Sequence, residues 1–559
     1  MRGDRFEINT LSRMKFWLLL LLLLPLATAL VLLAFRRALD QSLARKIALA
    51  GSVAALVASL MVAYEFQSLP TSGGSASPVQ PRFELRHTWL TYAATGDTSP
   101  EMHFDYFLGI DGISLLLIVL TTLLTVASVL ISWDSIRDRA AEFYCCLLLL
   151  EASLIGVFCA FDVVLFYVLF EFTLIPLFFM IGIWGGPLRQ YAAMKFFLYT
   201  FTASLVTLVG LVALVLAAVQ AGVASPTSIP DLAAWLTANP LSRELQIGLM
   251  LAISTGFMVK IPLFPFHTWL PLAHVEAPTA GSVLLAGVLL KLGTFGFLRL
   301  CLPMFPDACL TVGLPLFATL AVIGIIYGSL CALAQRDIKK LVAYSSIAHL
   351  GFCMLGLFAL NAEGLSGGVL QMINHGLSTA GLFLLVGMIY DRYHTRQMDE
   401  LHGLATRLPL LACAMVFITM ASIGLPGLNG FVGEFLSLVG MFQRDAVYAV
   451  LGATGVILGA WYMLGMLQTV FFGPLHEPKH GDQRVGDLNG REAIAIVPIC
   501  VMCLWIGIMP QPFLRTIQPD VDAIAALYAQ PSRAVSADHE SSPSQLSENV
   551  VARPGSVIP

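Results

Sequence analysis

The sequence predicts an all-α, polytopic membrane protein of about 14 transmembrane helices. Three observations support this fold class. First, 57% of the 559 residues are hydrophobic and only 12% are charged, which leaves too little polar surface for a soluble domain. Second, the mean hydropathy is +0.81. Third, the apolar residues form continuous runs that can cross a bilayer as helices, which satisfy their own backbone hydrogen bonds there.

Fourteen apolar runs reach the length of about 18 residues that a crossing needs. They lie at roughly 16–35, 44–65, 111–132, 143–160, 163–184, 191–221, 246–267, 279–301, 309–334, 338–359, 366–390, 409–440, 446–473 and 492–510. Residues 1–110 are predicted to hold the first two helices and an external loop at 66–108, and residues 111–510 the transmembrane core. Residues 511–559 predict a polar, disordered external tail, because the chain beyond Gln530 is rich in Ser and Pro.

Two runs contain helix-breaking residues. In the seventh run, Pro262 and Pro265 follow Lys260, and in the twelfth run the sequence Gly424-Leu425-Pro426-Gly427 interrupts the apolar residues. Proline removes a backbone donor and clashes with the preceding turn, so both helices must kink or unwind. The two breaks are five spans apart, so equivalent helices would cross the membrane in opposite directions. This arrangement predicts inverted five-helix repeats formed by spans 4–8 and 9–13.

The distribution of Lys and Arg predicts the orientation in the membrane. Loops after even-numbered spans hold only Arg82, Arg86, Arg243, Arg299 and Arg444. Loops after odd-numbered spans, with their edges, hold Arg36, Arg37, Arg45, Lys46, Arg137, Arg139, Arg189, Arg336, Lys339, Lys340, Arg392, Arg396, Arg407, Lys479, Arg484 and Arg491. Because basic loops stay in the cytoplasm, both termini are expected on the external side.

The N-terminal segment carries two further expectations. Arg2, Arg5, Arg13 and Lys15 precede the first span on the side predicted to be external, and a true start at Met14 instead of Met1 would leave one lysine there. The segment Ala27-Thr28-Ala29 has the form of a signal-peptide cleavage site. The apolar run continues past it to Phe35, however, which favours a membrane span.

Single ionisable residues lie inside the apolar runs. A lysine ammonium in hydrocarbon costs at least about 2.5–3.5 kcal/mol, so these side chains must face protein or water. The set comprises one acid or base on each of six helices, and this pattern is typical of proton transfer. It lacks the clustered carboxylates or thiolates that a metal site requires. The candidate residues for proton translocation are Glu171, Lys260, Lys291, His349, His375 and Glu434.

Each candidate also has a structural interpretation. Glu171 is predicted to pair with Lys260 and to alter its proton affinity, although an ordinary salt bridge between helices would also explain it. The two histidines could equally be hydrogen-bonded core residues. Lys195, a few residues into the sixth run, is a further candidate, and anchoring to lipid headgroups explains it equally well.

Redox, nucleotide and nucleic-acid sites are not predicted in this chain. The sequence has no Walker A motif, no dinucleotide-binding glycine motif and no HExxH, and a net charge of −4 without a long basic run argues against nucleic acid. Of the ten cysteines, only Cys500 and Cys503 have CxxC spacing, with no second pair or nearby histidine. Packing therefore explains these cysteines better than a metal or iron–sulfur centre.

Five segments carry a resemblance to a known family. They are FYVLFEFTLIPLFFMIGIWG, VKIPLFPFHTWLPLAHVEAPTAGSVLLAGVLLKLGTFGFLR, RDIKKLVAYSSIAHLGF, INHGLSTAGLFLL and GLPGLNGFVGEFL. These segments resemble the antiporter-like membrane subunits of respiratory complex I, the proton-translocating NADH:quinone oxidoreductase. The resemblance covers roughly residues 100–510, and Glu434 favours the M-type (chain 4) branch, because related L- and N-type subunits usually have a lysine there.

The resemblance implies a role for each matching residue. Glu171 is the carboxylate partner, Lys260 the pumping lysine, Lys291 the central connecting lysine and Glu434 the distal residue. It implies a bacterial inner membrane, neighbouring antiporter-like subunits, and FMN, iron–sulfur clusters and quinone in partner subunits, with no cofactor or metal here. Two other functions stay open: a subunit of a multisubunit cation/proton antiporter, and a purely structural membrane scaffold.

Overall fold

The computed structural model describes residues 2–69, 77–92, 102–478 and 485–529. Twelve helices in these ranges are long and apolar enough to cross a membrane. Two further crossings are interrupted, at the seventh and twelfth positions in the order of spans. The polytopic all-α fold and both predicted helix breaks are therefore confirmed.

We number the helices so that α1 to α14 are the membrane crossings, with a and b for the halves of the interrupted ones. The first six are α1 Arg2–Ala34, α2 Gln41–Phe66, α3 Gly112–Ser135, α4 Ala140–Cys159, α5 Val163–Trp184 and α6 Arg189–Gln220. The next five are α7a Arg243–Lys260 with α7b Trp269–Glu276, α8 Thr279–Cys301, α9 Pro306–Leu333, α10 Ile338–Leu357 and α11 Ala362–Tyr393. The last are α12a Pro409–Ser422 with α12b Asn429–Arg444, α13 Ala446–Phe471, α14 Gly490–Ile508 and a terminal helix, α15 Gln511–Ala529.

The helices differ in how far the protein buries them. The most apolar stretches of α8 and α11 are buried along their whole length and that of α10 nearly so, whereas those of α1, α6 and α14 are only one-third buried. A helix that is buried all round belongs to the centre of the bundle, and one that exposes an apolar face borders lipid. Lys291 on α8, His349 on α10 and His375 on α11 therefore lie in the protein interior.

The segment predicted as an external loop at 66–108 contains a β-hairpin, so this part of the prediction is wrong. Strands β1 Phe83–Tyr92 and β2 Met102–Ile110 pair antiparallel. Asp105 accepts hydrogen bonds from Arg86 at 2.6 Å and Thr88 at 2.7 Å. Although burial opposes it, these bonds lower the pKa of Asp105 below its usual 3.8. The hairpin is thus held by a charged cross-strand contact outside the membrane.

The predicted disordered tail is also wrong for its first 19 residues, which form α15. Its apolar residues recur at helical spacing and are buried, namely Phe513, Ile517, Val521, Ile524 and Tyr528. Such a stripe packs one face of a helix on the bundle. The sequence prediction missed it because Pro519 and the charged residues of the other face lower the mean hydropathy. The rest of the predicted tail, residues 530–559, lies outside the described residues.

Candidate functional site

Four of the predicted residues form a row that runs from α8, the last helix of the first predicted repeat, to α10, α11 and α12b in the second. At one end, His349 Nδ1 lies 2.8 Å from Glu434 Oε1, which also accepts a hydrogen bond from Gln371 at 3.0 Å. These residues come from α10, α12b and α11. Gly433 allows α12b to approach α11, since a Cβ there would lie 2.4 Å from Gln371 Oε1. The helix break thus places Glu434 against two buried polar side chains.

The other end of the row is Lys291 on α8. Its ammonium lies 2.9 Å from Nδ1 of His375 on α11, and it also donates a hydrogen bond to the carbonyl of Ala286. Ala286 lies in a π-helical turn, Leu285–Leu289, a feature frequent at functional sites. The rings of His375 and His349 are 5.5 Å apart. Lys291, His375, His349 and Glu434, which we call the central row, are each only 0–6% exposed.

Lys260 and Glu171 form a separate group in the N-terminal half. The Lys260 ammonium donates to the Phe170 carbonyl at 3.0 Å and to Thr173 Oγ1 at 3.2 Å, and it lies 3.5 Å from the centre of the Phe170 ring. Both carboxyl oxygens of Glu171 lack a hydrogen-bond partner among the described residues. The two groups interact electrostatically without a direct ion pair. Glu171 thus lies next in the chain to Phe170, whose carbonyl binds Lys260, but its carboxylate does not contact the ammonium.

Lys195 is not brought to either group. It lies on α6 and is partly exposed, and its side chain makes no hydrogen bond or salt bridge with another residue in the described ranges. α8 packs closely against α7a, since a Cβ at Gly293 would lie 2.5 Å from Ile261 Cγ1, and no hydrogen bond between described residues joins the Lys260 group to the central row. The structure therefore unites four of the seven candidates, places two beside each other, and leaves one apart.

A cavity of about 1260 Å³ lies on the side of the bundle predicted to be cytoplasmic. Its lining is rich in charge and includes Lys339 and Glu276. Lys339 donates a hydrogen bond to the Ala277 carbonyl at 2.7 Å, and Glu276 accepts one from the Leu188 backbone at 2.8 Å. A polar cavity of this size can hold several water molecules.

The geometry can be compared with proteins of known sequence and structure. Residues 160–459 match the family described as NADH:quinone oxidoreductase/Mrp antiporter, transmembrane. The chain belongs to this family. Over 516 residues it is 42% identical to the NADH-quinone oxidoreductase subunit M of Rhodobacter capsulatus, and the match covers 90% of this chain and 95% of that relative. It is also 43% identical over 441 residues to the NADH-ubiquinone oxidoreductase chain 4 of Marchantia polymorpha, covering 79% and 86%.

A solved structure agrees with this assignment. A chain in respiratory complex I from Thermus thermophilus is 30% identical, with a TM-score of 0.76, and the match covers 92% of this chain and all of that one. A chain of the Mrp complex from Dietzia is 19% identical with a TM-score of 0.74, which shows a shared fold alone. The predicted resemblance to the antiporter-like membrane subunits of complex I is thus confirmed.

In this family member the sequence prediction missed a buried histidine. His274 on α7b is fully buried, its ring stacks on Phe383 at 4.6 Å, and neither ring nitrogen has a partner among the described residues. It interacts electrostatically with both Lys339 and Lys291. Its signal in the sequence was weak, since it follows the helix break in a segment that is not a long apolar run. His274 therefore lies between the cavity and the central row.

Proposed function

We propose that this chain is the proton-translocating membrane subunit of an NADH:quinone oxidoreductase. Protons move through the buried Glu, Lys and His residues, driven by electron transfer from NADH to quinone in other subunits. The observation that carries the proposal is the central row, in which two close polar contacts are joined by histidine rings 5.5 Å apart. A row of buried titratable groups in a membrane marks an ion pathway.

The contacts of the central row define how one proton would pass. The Lys291 ammonium donates its proton to His375 Nδ1, and His375 Nε2, which has no partner among the described residues, releases one toward His349. His349 then passes a proton from Nδ1 to the Glu434 carboxylate. Each imidazole accepts a proton at one nitrogen and releases another, so it stores no lasting charge.

The Lys260 group fits a loading step in the other half of the bundle. The Lys260 ammonium is stabilised by a carbonyl, a hydroxyl and an aromatic face, without a carboxylate in direct contact. Movement of the Glu171 carboxylate toward it would favour the protonated lysine, and movement away would favour release. The open arrangement supports a pair that alternates between these two states.

The relatives support a proposal for the cofactors and partners. The Rhodobacter capsulatus relative is named as a subunit of NADH-quinone oxidoreductase, and the Thermus thermophilus complex contains bound NADH. We place FMN, iron–sulfur clusters and quinone in partner subunits, and neighbouring antiporter-like subunits beside this chain. The location proposed is a bacterial inner membrane, with both termini in the periplasm, in agreement with the distribution of basic loops.

Lys291→Arg and Lys291→Ala test this function. Arginine keeps the charge and much of the hydrogen-bonding capacity, but it does not release its proton near neutral pH. We therefore expect both variants to assemble into the complex and both to lose most of their proton pumping. The measurement is proton uptake in proteoliposomes that contain the purified complex, normalised to the rate of quinone reduction and to subunit content.

The outcomes separate the alternatives. Full pumping by Lys291→Arg would show that Lys291 serves only as a fixed charge, as a structural scaffold requires. A cation/proton antiporter would instead copurify with antiporter subunits and exchange Na⁺ for protons without NADH. Copurification with flavin- and iron–sulfur-containing subunits, identified by mass spectrometry, is the result expected here.

A further inference from the structure

A second buried carboxylic acid lies outside the central row and the Lys260 group. Glu151 lies eleven residues after the first residue of α4. This distance is about 16 Å along the helix, so Glu151 lies near the middle of the membrane. Its side chain is 0% exposed, and neither carboxyl oxygen has a hydrogen-bond partner among the described residues. No described cation pairs with it. Nothing in the proposed translocation route uses this residue.

The surroundings of Glu151 determine its charge at rest. An ionised carboxylate buried without a cation or hydrogen-bond donors is strongly unfavourable, and such a group binds a proton instead. The nearby Thr125 on α3 gives its hydroxyl proton to the Thr121 carbonyl at 2.9 Å. Glu151 is therefore a neutral carboxylic acid that carries a proton at membrane depth.

A line of hydroxyl groups leads from Glu151 toward the cavity. On α3 the residues Thr121, Thr125, Ser128 and Ser132 recur at spacings of four, three and four, which places them on one helix face. We call these four residues the hydroxyl seam, and all are at most 2% exposed. Ser128 Oγ has no hydrogen-bond partner among the described residues. The Ser128 hydroxyl can therefore form hydrogen bonds that the packing of α3 does not use.

The seam opens at one end only. The cavity of about 1260 Å³ is lined by Asp134 and Ser135 at the end of α3, and Arg491 pairs there with Asp134 at 2.5 Å. In the other direction, residues 115–120 of α3 are all apolar. Along α3, polar residues thus continue from the seam toward the side predicted to be cytoplasmic, and apolar residues lie in the other direction.

We propose that Glu151 is a further proton-holding residue, loaded and unloaded through the hydroxyl seam from the cavity. The seam hydroxyls lie about one helical turn apart, so water between them completes the relay. Each hydroxyl or water accepts one proton as it donates another, and the carboxylate binds the incoming proton to become the neutral acid. The reverse sequence returns that proton to water in the cavity. This inference rests on the proposed function, because the proton is the transported ion.

The position of α3 explains how this proton acts on transport. Leu120 and Leu124 pack against Gly376 of α11 and Gly287 of α8, the helices that hold His375 and Lys291. α3 therefore packs between α4, which carries Glu151, and the two helices that hold His375 and Lys291. Charge appearing at Glu151 in a low-dielectric interior favours the protonated form of nearby bases.

The first test asks whether Glu151 holds an exchangeable proton. In the purified complex with ¹³C-labelled glutamate, infrared spectra before and after transfer to D₂O should show a protonated-carboxyl band that shifts, and Glu151→Gln should remove it. Ser128→Ala should slow the exchange of this band. The matched control is Thr122→Val, a hydroxyl on α3 that instead contacts Ser59 at 2.8 Å. Absence of the band, or exchange equally fast in the Ser128 variant, would overturn the proposal.

The second test measures transport in proteoliposomes. We expect Glu151→Gln to lower the ratio of protons pumped to electrons transferred at least twofold, and Glu151→Asp, which retains an acid, to restore most of it. Equal pumping by the glutamine variant and the unmodified complex would overturn the role in transport. Lys291→Ala, measured in parallel, keeps the two proposals apart. Normal pumping by Lys291→Ala would contradict the proposed function. Loss of pumping in Lys291→Ala together with normal pumping in Glu151→Gln would contradict only the role of Glu151.

Discussion

The contact between Lys260 and its surroundings explains why the lysine tolerates burial without an acid in direct contact. Two oxygen acceptors and the face of Phe170 satisfy the ammonium, while Glu171 remains without a hydrogen bond on either oxygen within the described structure. The Lys260 ammonium is thus stabilised by its present contacts, whereas the Glu171 carboxylate lacks a hydrogen-bond donor. The mobile member of the pair is expected to be Glu171.

Glu171→Gln is expected to reduce coupled turnover about tenfold, which corresponds to about 1.4 kcal/mol in the barrier. The substitution keeps the volume but removes the charge that biases Lys260. Because the Lys260 contacts involve Phe170 and Thr173 and not Glu171, assembly should be unchanged. The measurements are NADH:quinone reductase rate, proton uptake and the amount of intact complex on native gels.

Glu244→Gln is the control for this variant, because Glu244 is exposed in the first turn of α7a, the helix that carries Lys260. It should behave like the unmodified complex. Normal pumping by Glu171→Gln would remove Glu171 from the mechanism. Loss of the complex from the gels would show that the residue is needed for assembly, contrary to the contacts observed.

At the scale of elements, the two interrupted crossings place charge where a continuous helix could not. α7a ends at Lys260, and α12b begins at Asn429, five residues before Glu434. In the second break, Gly424 and Gly427 adopt φ values of +77° and +93°, a region that favours glycine. Irregular backbone at membrane depth needs partners, and Asn374 supplies one by donating to the Asn429 carbonyl at 2.7 Å.

Pro262→Ala is expected to impair pumping less than Lys260→Ala. Alanine at position 262 restores one backbone donor, but Pro265 still prevents a continuous helix, whereas nothing replaces the titrating amine. We expect a severalfold loss for the proline variant and about a hundredfold loss for the lysine variant, within the range for a positioned acid–base group. Proton uptake at matched subunit content is the measurement. Equal damage in both variants would mean that the break is the essential feature.

The sequence was informative where chemistry alone restricts structure. Proline and glycine predict both breaks, because they disfavour a continuous helix. Single charges in apolar runs identify the residues of the central row, because a charged side chain is unfavourable in contact with lipid. The π-helical turn beside Lys291 could not be predicted, since Leu285–Leu289 has an ordinary helical composition. The sequence analysis missed Glu151, which lies in a run that also contains Cys, Ser and Phe. The sequence does not show whether a cation or a hydrogen-bond donor on another helix faces this glutamate.

At the scale of the whole molecule, α15 joins the ends of several crossings on one side of the bundle. Asp520 accepts hydrogen bonds from the backbone of Gly112 at 2.8 Å and Ile113 at 3.3 Å, and Tyr528 donates to the Leu302 carbonyl at 2.6 Å. The first backbone donors of a helix lack partners within it, so Asp520 caps α3 from outside. α15 thereby connects the start of α3 to the end of α8.

This contact depends on glycine at position 112. A Cβ there would lie 1.9 Å from the Thr516 carbonyl oxygen, so Gly112→Ala must displace α15. We expect a loss of about 1–3 kcal/mol of stability, the usual range for overpacking, together with faster proteolysis between Ile508 and Ala529. Gly465→Ala on α13 is the control, since a Cβ there meets no atom within 4 Å. Thermal denaturation and limited proteolysis of the purified complex measure both effects.

The central row contacts neither Gly112 nor Gly465. Both variants should therefore keep the normal ratio of protons pumped to electrons transferred while they remain folded. A lowered ratio in Gly112→Ala would instead show that α15 takes part in transport.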